Sequence, residues 1–375
     1  MKSRIVLFLL NSIFFLLPIT GRQITHNYIY IKFTLSILFM FLFVINFKSI
    51  LRMKFNKIIH QYIYMVISFD IYVLIIGIFK ESYYENHFVY NINLTLLFLL
   101  IGYSVKIINV KSLLCYFITG TTVLAICFYI NNYIEGINYD VYTYTIKEKN
   151  SLGIFFVLSL LCIENIVWDI KNKLTQERKY YIEKLVCIIF MFFINLCALM
   201  LVRNRSGIIG FIIASCYIIY KKYDLKILAL KLIFVSSILL LFWDKIYKFV
   251  YWSFGIRIQN SIDELSSGRI SLFKEAIEII KHNIWIGIGN FYVDNLYLNF
   301  LASFGVIGFI FIISLLYIFV KILQYAHINK DYFIIQLIVY MFVVSFFESL
   351  LPFGPGLAVT LFWIILGNYI KKISV

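Results

Sequence analysis

Long apolar runs recur along almost the whole chain and are separated mostly by short polar links. Twelve such runs lie near residues 1–21, 28–47, 58–79, 88–105, 112–130, 151–168, 185–202, 207–220, 227–243, 296–320, 333–349 and 352–370. Most have the roughly 17 to 25 residues that an α-helix needs to cross a bilayer. Backbone amides find no water in lipid, so unalternating runs of this length are expected to be helices. We therefore predict an all-α polytopic membrane bundle, a single domain over residues 1–375 with about 12 transmembrane helices.

The composition excludes an ordinary soluble domain. Hydrophobic residues make up 62% of the chain and charged residues 14%, against about 25% charged residues in soluble domains. The net charge of +15 does not indicate a nucleic-acid partner, because the basic residues lie in links between apolar runs, where they set orientation and meet lipid headgroups. All six cysteines lie in apolar runs and the five histidines lack metal-ligand spacing, so neither disulfides nor a metal is expected.

The distribution of Lys and Arg predicts the orientation. With both termini cytoplasmic, the inside links contain 20 Lys and Arg residues and the short outside links contain 6, as the positive-inside rule requires. The first run, residues 1–21, has the basic start of a signal peptide but is not followed by a small-residue cleavage site. We interpret it as a retained first helix.

The segment 244–295, between the ninth and tenth predicted helices, is predicted to be a large outer loop. It is much longer than the usual link of about 2 to 8 residues between helices, and long loops often carry function. Apolar residues at helical spacing predict a short amphipathic helix near residues 268–281, with Ser266 or Ser267 as its N-cap. The alternative interpretation, which the apolar stripe taken alone favours, is a lid that only covers the bundle. The smaller outer loop 131–150 is rich in Tyr and Asn, which we interpret as interfacial anchoring.

Three arginines are candidates for binding an anion. Arg203 and Arg205 lie in an outer turn, against the positive-inside bias. Arg269 lies in the first turn of the predicted loop helix, where a cation is unfavourable unless an anion is near. Because arginine binds phosphate bidentately, these residues indicate a clamp for a lipid diphosphate. The alternatives are snorkelling towards outer headgroups for the first two and pairing with Asp263 or Glu264 for the third.

Carboxylates near the predicted outer face are candidates for proton transfer. Asp294, followed by Asn295, closes the large loop, and a carboxylate there is able to orient or deprotonate a hydroxyl group. The alternative is that Asp294 is the N-cap of the tenth helix. Four ionisable residues interrupt apolar runs and are candidates for function, namely Lys32, Asp70, Glu164 and Glu348. Of these, only Glu348 is well placed for an outer site.

Five short motifs follow one another from the seventh helix onwards. They are R-x-R-S-G at residues 203–207, G-R-x-x-x-x-x-x-A at 268–276, I-G-I-G at 286–289, D-N-x-Y-L at 294–298 and F-G-x-x-G-F at 304–309. In this order, around one large loop, they resemble the O-antigen polymerase and O-antigen ligase superfamily. The resemblance implies an undecaprenyl diphosphate-linked oligosaccharide as donor and glycan transfer on the outer face of the inner (cytoplasmic) membrane, without metal, nucleotide or other cofactor.

One departure from the superfamily pattern separates its two branches. Ligases usually have a histidine where this chain has Asp294, which favours a polymerase that joins repeat units into O-antigen, capsule or exopolysaccharide. By analogy, Arg203, Arg205 and Arg269 hold the diphosphate, and Arg269 also stabilises the leaving charge. Asp294 acts on the acceptor hydroxyl, with Asn295 and Glu348 as further candidates. Membrane lipids, a chain-length regulator and a flippase are the other implied partners.

Other functions remain open at this point. An O-antigen ligase fits the same motifs. A polysaccharide flippase or transporter fits the twelve predicted spans, because the central inner link 169–184 divides them into two halves of six, although no internal repeat is visible. A membrane scaffold without catalysis does not require arginines on the outer side.

Overall fold

The computed structural model describes residues 2–20, 28–80, 87–105, 110–134, 149–171, 178–222, 268–349, 351–354 and 359–373, and within them all regular secondary structure is helical. The helices are α1 Lys2–Leu16, α2 Tyr28–Leu51, α3 Lys57–Gly77, α4 His87–Ser104, α5 Val110–Ile134, α6 Lys149–Lys171, α7 Arg178–Val202, α8 Arg205–Lys222, α9 Arg269–His282, α10 Leu296–Ile328, α11 Tyr332–Val344 and α12 Thr360–Lys372. A 3-10 turn, Pro18–Thr20, follows α1.

Seven stretches of the described helices are long and apolar enough to cross a membrane. They are Tyr30–Leu51, Lys57–Gly77, His87–Ser104, Val110–Ile130, Asn150–Trp168, Ile182–Val202 and Leu296–Ile328. Arg4–Leu16 and Tyr332–Val344 are shorter apolar helices. The all-helical, polytopic membrane fold predicted from the sequence is confirmed at this level.

The total of about 12 spans stays a prediction. Eleven of the twelve predicted apolar runs overlap described helices, whereas the ninth run, 227–243, lies outside the described residues. The same is true of the first part of the large loop, 244–267, which includes Ser266 and Ser267. The residue at the N-cap of α9 is Gly268 (φ 77°), without a side-chain cap.

Helices α4 and α12 pack closely because glycines face the neighbouring backbone. A methyl group added to Gly102 would lie 2.1 Å from the carbonyl oxygen of Ile364, and one added to Gly367 would lie 2.2 Å from that of Leu99. Where lipid removes the usual hydrophobic driving force, small residues let helix backbones approach and gain dispersion contacts.

Helix α10 is broken near its start at Gly305, which has φ 65° and ψ −170°. The loop after α9 fits into the break. Backbone hydrogen bonds join the two segments, from the N–H groups of Ile288, Gly289, Val306 and Ile307 to the carbonyl groups of Ala302, Ser303, Ile284 and Trp285, respectively. The I-G-I-G and F-G-x-x-G-F motifs are thus the two sides of one backbone contact.

Glycine is required on both sides of this contact. A methyl group on Gly287 would lie 2.5 Å from the carbonyl oxygen of Ser303, and one on Gly305 would lie 2.3 Å from that of Trp285. Both glycines have positive φ values, which L-residues with a side chain rarely adopt. Lys80, which lies shortly after the end of α3, also supports the loop, because its ammonium group donates to the carbonyl oxygen of Gly287 at 3.0 Å.

The starts of α6, α8 and α10 and the end of α11 lie together at one end of the bundle. The N–H of Leu296 donates to the carbonyl oxygen of Ser345 at 2.9 Å, which ties the start of α10 to the end of α11. The helix is shorter than the predicted apolar run 333–349, because α11 ends at Val344. Glu348 lies in the turn beyond it.

Candidate functional site

The turn between α7 and α8 is shaped by Asn204, which lies between the two arginines of the R-x-R-S-G motif. Its Oδ1 accepts a hydrogen bond from the N–H of Gly207 at 2.6 Å, and its Nδ2 donates to the backbone carbonyl of Asn150 at 3.2 Å. The buried amide thus caps α8 and joins it to α6. Arg203 has a left-handed φ of 55°, a strained conformation that the cap holds in place.

Arg203, Arg205 and Arg269 line one cavity of about 320 Å³. The cavity lies between the starts of α8 and α9 and the turn after α11. Its other lining residues are mostly apolar, namely Ile209, Ile270, Phe273, Phe346 and Phe347, together with the polar Asn150 and Ser206. Three guanidinium groups with apolar walls favour an amphipathic anion over a fully hydrated one.

Arg269 contacts Asp294 at the edge of this cavity. The guanidinium Nε lies 3.3 Å from Oδ2 of Asp294, and both side chains are only about one quarter exposed. The hydroxyl group of Tyr292 donates to the other carboxylate oxygen at 2.7 Å. Asp294 therefore provides an anion near the start of α9, while the alternative partners Asp263 and Glu264 lie outside the described residues.

Asp294 is not the N-cap of α10. That position is taken by Asn295, whose side-chain oxygen accepts from the N–H of Leu298 at 3.0 Å. The amide nitrogen of Asn295 donates to the carbonyl oxygen of Phe346 at 3.0 Å. Both polar atoms of Asn295 are thus used to fix the start of α10, and the Asp294 carboxylate is available for other contacts.

Glu348 is the most buried carboxyl group at the site, with one tenth of its side chain exposed. Its Oε1 lies 2.7 Å from the hydroxyl group of Ser206, and its Oε2 accepts from Nδ2 of Asn150 at 2.8 Å. Nη2 of Arg269 lies 4.0 Å from Oε1. The structure thus brings Glu348 beside the arginines, which the sequence suggested only from its outer position.

Burial raises the pKa of Glu348 to about 7. The hydrogen bond from Ser206 opposes this rise, the negative charge of Asp294 adds to it, and the positive charge of Arg269 opposes it. A carboxyl group with a pKa near neutrality exchanges protons at physiological pH, which is the property expected of an acid or base in catalysis.

The other ionisable residues of the apolar runs do not join this cluster. Asp70 accepts from Asn93 at 3.0 Å, between α3 and α4. Glu164 accepts from Ser215 at 3.0 Å and from Gln336, within the bundle. Lys32 lies on α2.

Three residues of the cluster were not identified from the sequence as individual site residues. Ser206 was visible only as part of a motif, and Tyr292 as part of the loop. Asn150 was assigned to an interfacial loop, although it belongs to the first turn of α6. Asn150 could have been identified as a polar residue at the start of an apolar run whose outer end was predicted to lie on the same side as the turn with Arg203 and Arg205.

Comparison with known proteins adds one finding. A family model described as O-antigen ligase matches residues 190–313. The resemblance to the O-antigen ligase and polymerase superfamily is confirmed. No curated protein matches the chain.

The match supports a role in polysaccharide biosynthesis in a membrane, as an enzyme of the O-antigen ligase or polymerase type. It does not distinguish between the two. The matched residues include Arg203, Arg205, Arg269 and Asp294. Glu348 lies outside the matched residues but contacts one of them, Ser206.

Proposed function

We propose that the protein is a repeat-unit polymerase that joins undecaprenyl diphosphate-linked oligosaccharides on the outer face of the inner membrane. The single observation that carries the proposal is the cavity lined by Arg203, Arg205 and Arg269 together with apolar side chains. A diphosphate attached to a prenyl chain needs charge-assisted donors for its phosphates and an apolar wall for its first isoprene units.

Arg205 and Arg269 approach the cavity from different elements, the starts of α8 and α9. Guanidinium groups on both sides of a diphosphate neutralise the ground-state charge and the charge that develops when the sugar leaves. Phe346 and Phe347 come from a third element, the turn after α11. The cavity therefore depends on all three elements.

Asp294 is the proposed acceptor-side group. It is held by Arg269 at 3.3 Å and Tyr292 at 2.7 Å, so its position relative to the diphosphate is fixed through Arg269. A carboxylate held in this way is suited to orient an acceptor hydroxyl and take its proton. The growing glycan is then transferred to the hydroxyl group of the next lipid-linked unit.

A ligase is the second candidate, because the matching family model is described by that activity. The aspartate in place of the usual ligase histidine favours the polymerase. A flippase or transporter is less well supported, because the long loop 244–295 has no counterpart in the first half of the chain and no internal repeat is visible. A chain-length regulator and a separate flippase are proposed as protein partners.

Deletion of the gene, followed by gel analysis of the surface glycan, tests the function. Loss of the polymerase leaves caps of a single repeat unit. Loss of a ligase instead leaves unattached, lipid-linked polymer, and loss of a flippase removes both. Re-expression of the wild-type chain is the control that restores the original pattern.

A further inference from the structure

Ser206 has one hydroxyl proton but two oxygen neighbours at hydrogen-bonding distance. Its Oγ lies 2.8 Å from Oδ1 of Asn204 and 2.7 Å from Oε1 of Glu348. A serine hydroxyl donates one hydrogen bond and accepts others. If Glu348 is ionised, one of these two short oxygen–oxygen contacts has no proton between its atoms.

The orientation of Asn204 is determined by its other partners. The N–H of Gly207 donates to one side-chain atom, which must be the oxygen, and the backbone carbonyl of Asn150 accepts from the other, which must be the nitrogen. Turning the amide over would break both hydrogen bonds, so Oδ1 of Asn204 faces Ser206. The conflict at Ser206 therefore has to be resolved by the third group, Glu348.

We infer that Glu348 carries a proton in the resting protein and supplies it, through Ser206, to the phosphate that leaves when the glycan is transferred. In this arrangement the carboxyl group donates to Oγ of Ser206, and Ser206 donates to Asn204. Ser206 lines the cavity, so its hydroxyl group is the one that meets the phosphate. Glu348 acts through Ser206 and is a positioning residue, and this role rests on the proposed polymerase function.

The charged and titratable groups around Glu348 agree with a neutral carboxyl group. Arg269 from α9 is the facing cation, but its Nε lies closer to Asp294, at 3.3 Å, than its Nη2 does to Glu348, at 4.0 Å. Tyr340 on α11 and Asp294 before α10 are the acidic neighbours, and Asn150 from α6 is uncharged. Burial raises the pKa of Glu348 to about 7, so the acid form is populated at neutral pH.

The two carboxyl groups thereby take complementary parts in a balanced step. The acceptor hydroxyl oxygen bonds to the anomeric carbon and its proton passes to Asp294. The bond from that carbon to the phosphate oxygen breaks, and the electron pair stays on the oxygen. The hydroxyl group of Ser206 turns from Asn204 to this oxygen and gives it its proton, and the proton of Glu348 replaces the one that Ser206 has lost. Water then returns the proton from Asp294 to Glu348, so the site is restored and no proton is consumed overall.

Infrared spectroscopy of the purified protein tests the resting proton without reference to activity. We expect a carboxylic acid carbonyl band that shifts in heavy water, disappears as the pH is raised through about 7, and is absent from Glu348→Gln. Glu278→Gln, which changes an exposed glutamate of α9, is the matched control and keeps the band. A spectrum at pH 6 in which wild type and Glu348→Gln show the same acid band would overturn the inference.

Reaction rates test the transfer of the proton. The substrate is lipid-linked repeat unit extracted from cells that lack the gene. We expect the wild-type rate to fall as the pH rises through about 7 and the rate of Glu348→Gln to be lower by about 100-fold or more and independent of pH over that range. Glutamine keeps the hydrogen bond to Ser206 but cannot release a proton. Ser206→Thr retains the hydroxyl and the pH profile, whereas Ser206→Ala loses both rate and profile.

The outcomes separate the two proposals. A normal rate with a normal pH profile for Glu348→Gln would overturn the proton relay and leave the polymerase function intact. Absence of any polymer from the wild-type protein, with full retention of the lipid-linked unit, would overturn the function and the relay together. In that case the infrared band still decides whether Glu348 is protonated.

Discussion

The guanidinium groups of Arg205 and Arg269 make a direct test of the proposed diphosphate site. We expect Arg205→Ala and Arg269→Ala to abolish polymer, because each removes a charge-assisted contact worth about 1.5 to 3 kcal/mol. Lysine at either position restores activity only in part, since it lacks the bidentate fork.

Glycan length on a gel and protein abundance in membranes are the measurements for these variants. Lys274→Ala is the control, because Lys274 is an exposed cation of α9 that does not line the cavity. Wild-type chain lengths in both arginine-to-alanine variants would exclude the clamp.

Asp294 and Asn295 are neighbours with separable roles. We expect Asp294→Asn to keep normal abundance and thermal stability but to make glycan of one or few repeats, because loss of general-base help slows transfer by roughly 10² to 10⁴. Asn295→Ala should instead lower stability by about 1 kcal/mol, the usual cost of a lost cap. Full-length polymer from Asp294→Asn would return that residue to a structural role.

The buried carboxyl group of Glu348 links stability to pH. Its pKa is raised to about 7 in the folded protein, whereas an unfolded glutamate titrates near 4.3. The folded protein therefore binds more protons between these values, and its free energy of unfolding falls as the pH rises, by about 4 kcal/mol in total.

Glu348→Gln removes this dependence, so its melting temperature relative to wild type should be higher at pH 8 than at pH 5. Thermal unfolding in detergent at both pH values measures the difference, and Glu278→Gln is the control. An equal difference at both pH values would contradict the raised pKa.

The glycine at the break in α10, Gly305, can be compared with Gly268 at the N-cap of α9, because both have a positive φ but only Gly305 lies against a neighbouring backbone. Gly305→Ala combines a strained φ of 65° with a methyl group 2.3 Å from a carbonyl oxygen, whereas Gly268→Ala has a strained φ of 77° but no atom within 4 Å. We expect Gly268→Ala to cost about 1 to 3 kcal/mol and Gly305→Ala to cost clearly more. Thermal stability of the two variants measures this, and equal losses would show that the close contact is not needed.

The positions of most helices could be predicted from the sequence, because the lipid environment forces long apolar stretches to be helical. Eleven apolar runs overlap helices because any long apolar stretch must satisfy its own amides in lipid. The end of α11 was not predictable, because Phe346 and Phe347 are as apolar as the residues before them. That end depends on hydrogen bonds to Leu296 and Asn295, which are distant in the sequence.

The candidate site was predictable only in part for a similar reason. Arg203, Arg205 and Arg269 were recognisable because arginine on the outer face, or at the start of a helix, opposes a general preference. Asn150 and Ser206 could not be recognised in this way, because polar residues are common at the starts of helices and violate no rule of charge placement. Their contacts with Glu348 span 198 and 142 residues of chain, a separation at which local sequence patterns carry no information.

The orientation of the whole molecule is open to chemical labelling. The Lys and Arg distribution predicts that residues 244–295 lie outside and residues 169–184 inside, because basic residues are retained on the cytoplasmic side. In a background without reactive native cysteines, Ser261→Cys should react with an impermeant thiol reagent in intact cells, and Thr175→Cys should react only after lysis. Labelling of Thr175→Cys in intact cells would reverse the topology.

The long sequence separation of the groups around Glu348 also governs when the protein becomes active during its synthesis. Asn150 and Ser206 enter the membrane early, but the phenylalanine wall and the carboxyl group come from the turn after α11. A ribosome-bound chain that ends before this turn has the three arginines but lacks Phe346 and Phe347, so its cavity is incomplete. On the proposed function, nascent chains are therefore expected to be inactive towards glycan lipids until α11 has been inserted and the turn has folded back onto α6 and α8.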